Sequence, residues 1–133
     1  MAAMLREIVI DCGEPRLVAD FWGQVLGWSV QEHRGVLWMS GSGDWRDLSL
    51  VFVLVPDGKS AKNRIHLDVS PVGCSRDEEV TRLRALGAEP VDIGQGDAPW
   101  VVLADPEGNE FCVLGGRADA GSSSSGEDVS LSG

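Results

Sequence analysis

The stretch 100-WVVLADPEGNEFCVL-114 decides the fold, because it reads as two strands joined by one tight turn. Residues 100–104 and 110–114 are apolar runs of strand length. Between them, Pro106 fixes the backbone torsion φ in the range that a turn needs, and Gly108 accepts a positive φ. Residues 100–114 are therefore predicted to form a β-hairpin.

Towards the N-terminus, the same half of the chain contains two more predicted strands with a helix between them. Residues 64–69 read as a strand, and residues 89–93 as another. Between these runs, Ser75 and Glu78 have the spacing of a capping box, which starts a helix. Its apolar stripe and its stop are predicted at Val80, Leu83, Leu86 and Gly87. The order of elements is βαβββ.

The first half repeats this order. Residues 6–12 read as a strand, and Pro15 suits the first turn of a following helix. The predicted apolar stripe of that helix is Leu17, Phe21 and Val25, and Gly27 ends it. Three more strands are predicted, at residues 28–33, 36–40 and 48–55. We interpret the chain as a duplication of one βαβββ module, at about residues 5–56 and 63–115.

Bulk properties restrict the class of protein. A chain of 133 residues with 43% hydrophobic composition predicts one domain, at residues 1–116. No apolar run approaches the ~20 residues of a membrane-spanning helix, and no secretory leader is evident, so we expect cytoplasmic residence and no membrane contact. The three cysteines have no metal-binding or paired spacing, which predicts reduced thiols.

The charge balance disfavours one class of partner. A net charge of −10 opposes binding to nucleic acid, whose phosphates attract Lys and Arg. Residues 117–133 are rich in Gly, Ser and acid, and we predict a disordered tail there. Only four charged residues lie in that tail, so most of the acidity belongs to the folded part.

Three motifs together carry a resemblance to a known family. They are Phe21-Trp22 followed by Leu26-Gly27-Trp28, the segment 62-KNRIHLD-68, and 100-WVVLADPEGNEF-111. In this order and spacing they resemble a glyoxalase-like domain of the glyoxalase/bleomycin resistance protein/extradiol dioxygenase (vicinal oxygen chelate) superfamily. The resemblance implies an α+β fold in which two βαβββ modules form a curved mixed sheet around a cleft. It also implies a small organic molecule as partner and is compatible with a homodimer.

The resemblance also implies where a divalent metal would be held. Metal-dependent members take one ligand each from the first, fourth, fifth and eighth strands, and these positions fall on Glu7, Val53, His66 and Cys112. Only His66 matches the usual ligand pattern, and Val53 cannot donate to a metal. We therefore expect no cofactor. The alternative is one divalent metal, with Glu7, His66 and Cys112 as zinc ligands.

Strand alternation predicts which side chains face the cleft. Glu7, Val9 and Asp11 share one face of their strand, while Ile65, Leu67 and Val69 are expected to pack inward, opposite His66 and Asp68. Trp45 is interpreted either as part of a mobile lid or as a loop anchor. The predicted substrate-binding residues are Glu7, Asp11, Trp38, Val53, His66, Asp68, Trp100 and Cys112.

Three functions remain open at this point. The first is metal-free binding or sequestration of a small molecule. The second is a lyase or isomerase of the same superfamily that uses a metal, with His66 as acid or base beside Glu7 or Asp68. The third is a non-catalytic interaction module with a vestigial cleft and residues 117–133 as its contact. Whether a reaction is catalysed stays undecided.

Overall fold

The computed structural model describes residues 1–115, so the predicted tail at 117–133 lies outside the described residues. The chain divides into two compact units, the first at Met1–Ser60 and the second beginning at Ala61. Each unit contains one helix and one four-stranded mixed sheet. The α+β class and the two βαβββ modules are confirmed.

The two units have the same element order and the same strand order. The first contains β1 (Glu7–Cys12), α1 (Pro15–Leu26), β2 (Gln31–His33), β3 (Val36–Ser40) and β4 (Ser49–Leu54). The second contains β5 (Leu67–Val69), α2 (Arg76–Ala85), β6 (Glu89–Pro90), β7 (Val101–Ala104) and β8 (Glu110–Val113). The sheets run β1-β4-β3-β2 and β5-β8-β7-β6, and in each the first strand is parallel to the last.

Helix α1 begins and ends where the sequence indicates. Pro15 occupies its first turn, and Gly27 caps its C-terminus with a φ of +71°. Phe21 and Val25 are buried as predicted. The prediction that Leu17 belongs to the same apolar stripe is wrong, since Leu17 is 46% exposed. The helix instead turns Val18 and Trp22 into the core, so the buried stripe is rotated away from Leu17. It packs against the sheet face that carries the buried side chains Leu37, Met39, Leu50 and Phe52.

Helix α2 begins with the predicted capping box. The Ser75 hydroxyl accepts the Glu78 N–H at 3.1 Å, and the Glu78 carboxylate accepts the Ser75 N–H at 2.9 Å. Leu83 is fully buried, as are Leu103, Phe111 and Val113 of the adjoining sheet. These side chains form the core of the second unit.

The hairpin loop between β7 and β8 is held by one buried carboxylate. Asp105, which is 3% exposed, accepts the backbone N–H groups of Glu107 and Asn109 at 2.9 and 3.0 Å. Gly108 has the predicted positive φ, +90°. The turn therefore closes through the residues that the sequence singled out.

The first strand of the second unit is shorter than predicted. Strand β5 covers only Leu67–Val69, because its parallel pairing with β8 begins at Leu67 opposite Phe111. The expectation that Ile65 packs inward is wrong, since Ile65 is 82% exposed. Alternation between two faces applies only where a strand is paired, and Ile65 precedes the pairing. Trp100, also expected on a strand, directly precedes β7.

None of the helices in residues 1–115 combines the length and the apolar character needed to cross a membrane.

Candidate functional site

The first unit carries an apolar strip on the face of its sheet opposite α1. Val9, Val51, Trp38 and Gln31 lie side by side across four neighbouring strands. On β3 and β4, the strand neighbours of Trp38 and Val51 point to the other face and are buried beneath the helix, as alternation requires. We call the face that carries this strip the open face.

A concavity of about 800 Å³ lies on this open face. Its lining combines four apolar side chains, Val36, Trp38, Trp45 and Val51, with polar and charged ones, namely Glu7, Gln31, Glu32, His33, Arg34 and Ser49. Of the predicted substrate-binding residues in the first unit, Glu7 and Trp38 therefore both line this concavity. Asp11 and Val53 pair with each other farther along β1 and β4 and are not part of this lining.

Trp45 forms a wall of the concavity and is 60% exposed. The guanidinium of Arg6 lies over its ring, 5.3 Å from the ring centroid, which is a cation–π distance. In the same loop, Arg46 binds the carboxylate of Asp44 and thereby lowers the pKa of Asp44. These contacts favour a loop anchor for Trp45, although motion of the loop stays a prediction.

Gln31, Ser49 and Val51 were not singled out from the sequence. The signal that could have found them is the strand pairing: Ser49 lies opposite Glu7, and Val51 lies opposite Val9. That register is not readable from one strand alone.

The second unit gathers three potential metal ligands. His66, Asp68 and Cys112 each offer one donor atom, and these atoms all lie within 4.8 Å of one another. Asp68 lies opposite Cys112 in the pairing of β5 with β8. The Nδ1 atom of His66 is 3.0 Å from an oxygen of Asp68. Thus the fold places an imidazole, a carboxylate and a thiol together.

The electrostatic environment of Cys112 follows from its position. Its side chain is 3% exposed, and burial, helped by the neighbouring Asp68 carboxylate, raises the pKa of the Cys112 thiol to about 11. Without a cation nearby, Cys112 is therefore a protonated thiol at neutral pH. Such a thiol is a poor nucleophile, so the geometry gives no support to covalent catalysis by Cys112.

The predicted zinc ligands come from both units. His66 and Cys112 belong to the same cluster, whereas Glu7 belongs to the first unit. The potential metal ligand that the sequence interpretation did not name is Asp68, which was predicted as a substrate-binding residue and as a possible partner of His66 in catalysis. The sequence placed Asp68 two residues after His66, but His66 precedes the paired residues of β5, so the contact between the two side chains is visible only in the structure.

The donor set decides which metal could fit this cluster. Mg²⁺ and Mn²⁺ prefer oxygen ligands, and a buried sulfur is a mismatch for them. Zinc accepts histidine nitrogen, carboxylate oxygen and cysteine sulfur in one site. The residues present therefore fit a borderline cation such as zinc better than a hard one.

Glu110 lies on the same strand as Cys112 but has a different role. Its carboxylate accepts the backbone N–H of Asn63 at 2.9 Å, and the Asn63 amide group also binds Asn109 at 3.2 Å. Glu110 therefore holds the segment that precedes β5 against the hairpin loop.

Solved structures with the same fold share little sequence with this chain. A glyoxalase/bleomycin resistance protein/dioxygenase family enzyme from Burkholderia phytofirmans PsJN has 17% identity and a TM-score of 0.65, covering 84% of this chain and 97% of its own. The fosfomycin resistance protein FosX from Mesorhizobium loti has 10% identity and a TM-score of 0.63, covering 92% and 100%. A mutant FosX from Listeria monocytogenes, complexed with Mn(II) and a dihydroxypropylphosphonic acid, has 17% identity and a TM-score of 0.63, covering 87% and 92%.

The sequence comparison identifies the family. A model of the glyoxalase-like domain matches residues 7–114, and the chain therefore belongs to that family. No match was found among curated protein sequences.

Proposed function

We propose that the protein binds a small organic molecule in the concavity on the open face of the first unit. The observation that carries this proposal is the combination of two tryptophan side chains, two valines and two carboxylates, Glu7 and Glu32, which with His33 and Arg34 line about 800 Å³. Small-molecule sites in proteins are typically ~300–1,000 Å³ and mostly apolar, with a few polar groups that orient the ligand.

The lining favours a ligand with a flat apolar body and a positively charged or hydrogen-bond-donating end. Trp38 and Trp45 offer aromatic surface for the body of the ligand. The exposed carboxylate of Glu7 can accept hydrogen bonds from its polar end. The negative net charge of the chain favours the approach of a cation over that of an anion. FosX, a relative in fold, is seen with a small phosphonic acid, which agrees with a small organic partner only at the level of size.

Dye binding tests this proposal without knowledge of the natural ligand. Acridine orange, a planar cation, and anilinonaphthalene sulfonate, a planar anion, are titrated into the protein and followed by dye and tryptophan fluorescence. We expect acridine orange to bind more tightly, and Trp45→Ala to weaken it at least about threefold by removing aromatic contact. Glu7→Gln should weaken the binding of acridine orange, the cation, and leave the binding of anilinonaphthalene sulfonate, the anion, unchanged.

The matched control is Leu17→Ala, because Leu17 is an exposed apolar residue on α1, which packs on the other face of the sheet. This variant should bind both dyes as the parent does. The proposal fails if neither dye binds, or if Leu17→Ala weakens binding as much as Trp45→Ala does.

The second candidate function is a metal-dependent lyase or isomerase. It is favoured by one observation, the cluster of His66, Asp68 and Cys112. One FosX structure is complexed with Mn(II), so a protein of this fold can bind a divalent metal, although the cysteine here disfavours manganese itself. His66 would then act beside Asp68 rather than beside Glu7. A substrate turned over only by metal-loaded protein, and not by His66→Ala, would favour this function over simple binding.

We propose cytoplasmic residence, no nucleic-acid partner and assembly as a homodimer. The third function, an interaction module with its contact at residues 117–133, predicts that removal of these residues abolishes function, whereas our proposal predicts that it does not. Deleting those residues should leave acridine orange binding unchanged, whereas an interaction module would lose its partner.

A further inference from the structure

The concavity of the first unit has side chains of opposite charge at its two ends. Glu7 lies opposite Ser49, which in turn lies opposite Ser40, the last residue of β3. Arg34 lies beyond the other end of β3, in the turn that joins β2 to β3. Strand β3 has five residues, so its two ends are about 13 Å apart. The concavity, whose lining includes both charged residues, therefore has a carboxylate at one end and a guanidinium at the other.

The second carboxylate of the lining, that of Glu32, has its charge balanced by a helix residue. Glu32 lies opposite the buried Leu37, and its carboxylate is 3.8 Å from the guanidinium of Arg16 on α1. Arg34 is exposed and forms no ion pair with any residue of the described part of the chain. Its positive charge is therefore available to a bound molecule.

The backbone at Arg34 is strained. Arg34 and Gly35 form a two-residue hairpin turn in which both residues have a positive φ, +52° and +84°. Among residues 1–115, Arg34 is the only residue other than glycine with a positive φ. A turn of this kind favours asparagine before the glycine. The turn thus carries an arginine where an asparagine would be more stable, and strain of this kind is common at positions that bind ligands.

We propose that the ligand of the concavity is amphoteric, with a cationic or hydrogen-bond-donating group near Glu7 and a carboxylate near Arg34. Arg34 is then a residue that determines specificity. The proposal rests on the proposed function and adds the anionic group of the ligand to it. A guanidinium can donate to both oxygens of a carboxylate, and the neighbouring His33, which also lines the concavity, can donate a further hydrogen bond.

Two matched dyes test for recognition of the carboxylate. Rhodamine B has a flat cationic ring system and a free carboxylate, whereas its ethyl ester keeps the ring system and lacks the negative charge. Each dye is titrated with the full chain and followed by fluorescence anisotropy. The quantity compared between variants is the dissociation constant of the ester divided by that of rhodamine B.

Substitution of Arg34 should change this ratio and the stability in opposite directions. Arg34→Asn should lower the ratio about threefold, which is the size expected for the loss of an exposed ion pair. It should also raise the urea concentration at the unfolding midpoint, because asparagine suits the positive φ of the turn. Arg34→Lys keeps the charge and should keep most of the ratio. In the parent protein, added salt should lower the ratio, because salt screens exposed charges.

The matched control is Arg84→Asn, which removes the same charge from helix α2, outside the lining of the concavity. It should leave the ratio unchanged. The proposal is overturned if Arg34→Asn leaves the ratio unchanged, or if Arg84→Asn lowers it as much. Binding of both dyes without an effect of Arg34→Asn on the ratio would leave the proposed function standing. Binding of neither dye would contradict both proposals.

Discussion

The ion pair between Glu79 and Arg82 on helix α2 gives the sharpest stability prediction. The Glu79 carboxylate is 8% exposed and accepts two hydrogen bonds from the Arg82 guanidinium, at 2.9 and 2.8 Å. Glu79→Gln keeps the size of the side chain but removes its charge. We expect this substitution to lower the free energy of unfolding at neutral pH.

The magnitude follows from the exposure of the two partners. A hydrogen bond to a charged group contributes ~1.5–3 kcal/mol when it is shielded from water. Arg82 is 46% exposed, so solvent screens the pair and reduces its contribution to the lower limit of that range or below it. We therefore expect a loss of about 1–1.5 kcal/mol in Glu79→Gln.

The pH dependence has a defined sign. The hydrogen bonds from Arg82 lower the pKa of Glu79 in the folded chain relative to the unfolded chain. The stabilisation is therefore fully present above the unfolded pKa of glutamate, ~4.3, and is lost as the pH falls through the folded value. The difference between parent and Glu79→Gln should shrink as the solution is made acidic.

Urea unfolding followed by circular dichroism, at pH 7 and at several acidic values, measures this difference. Glu89→Gln is the matched control, because Glu89 is an exposed glutamate of the same unit, and it should change stability by less than about 0.5 kcal/mol. An unchanged unfolding midpoint for Glu79→Gln at pH 7, or a difference that grows in acid, would refute the reasoning.

Two further predictions concern the C-terminus of α1 and the cysteines. Gly27→Ala should cost about 1 kcal/mol in urea unfolding, because Gly27 has a φ of +71° and an added Cβ meets no other atom, so the cost is conformational alone. Gly27→Asn should cost less, and equal losses would contradict this explanation. Iodoacetamide should modify the partly exposed Cys74 well before the buried Cys112 in metal-free protein, as peptide mass spectrometry can measure. Modification of Cys112 at the same rate would show that its thiol is accessible and reactive.

The sequence by itself determined the features that depend on neighbouring residues. The capping box at Ser75 and Glu78, the proline start and glycine end of α1, and the turn around Asp105 all appear where predicted. Each involves atoms within a few residues of one another, so local patterns are sufficient. The repeat of the βαβββ order was readable for the same reason.

The tertiary structure decided what depends on distant pairing. Ile65 is exposed because β5 begins only at Leu67, and that start is set by the residues of β8 opposite it. The same pairing places Asp68 beside Cys112, although they are far apart in the chain, and so turns a predicted binding residue into a candidate metal ligand. Hydrogen bonds between strands set the register, and a single strand does not encode which partner residue it will face.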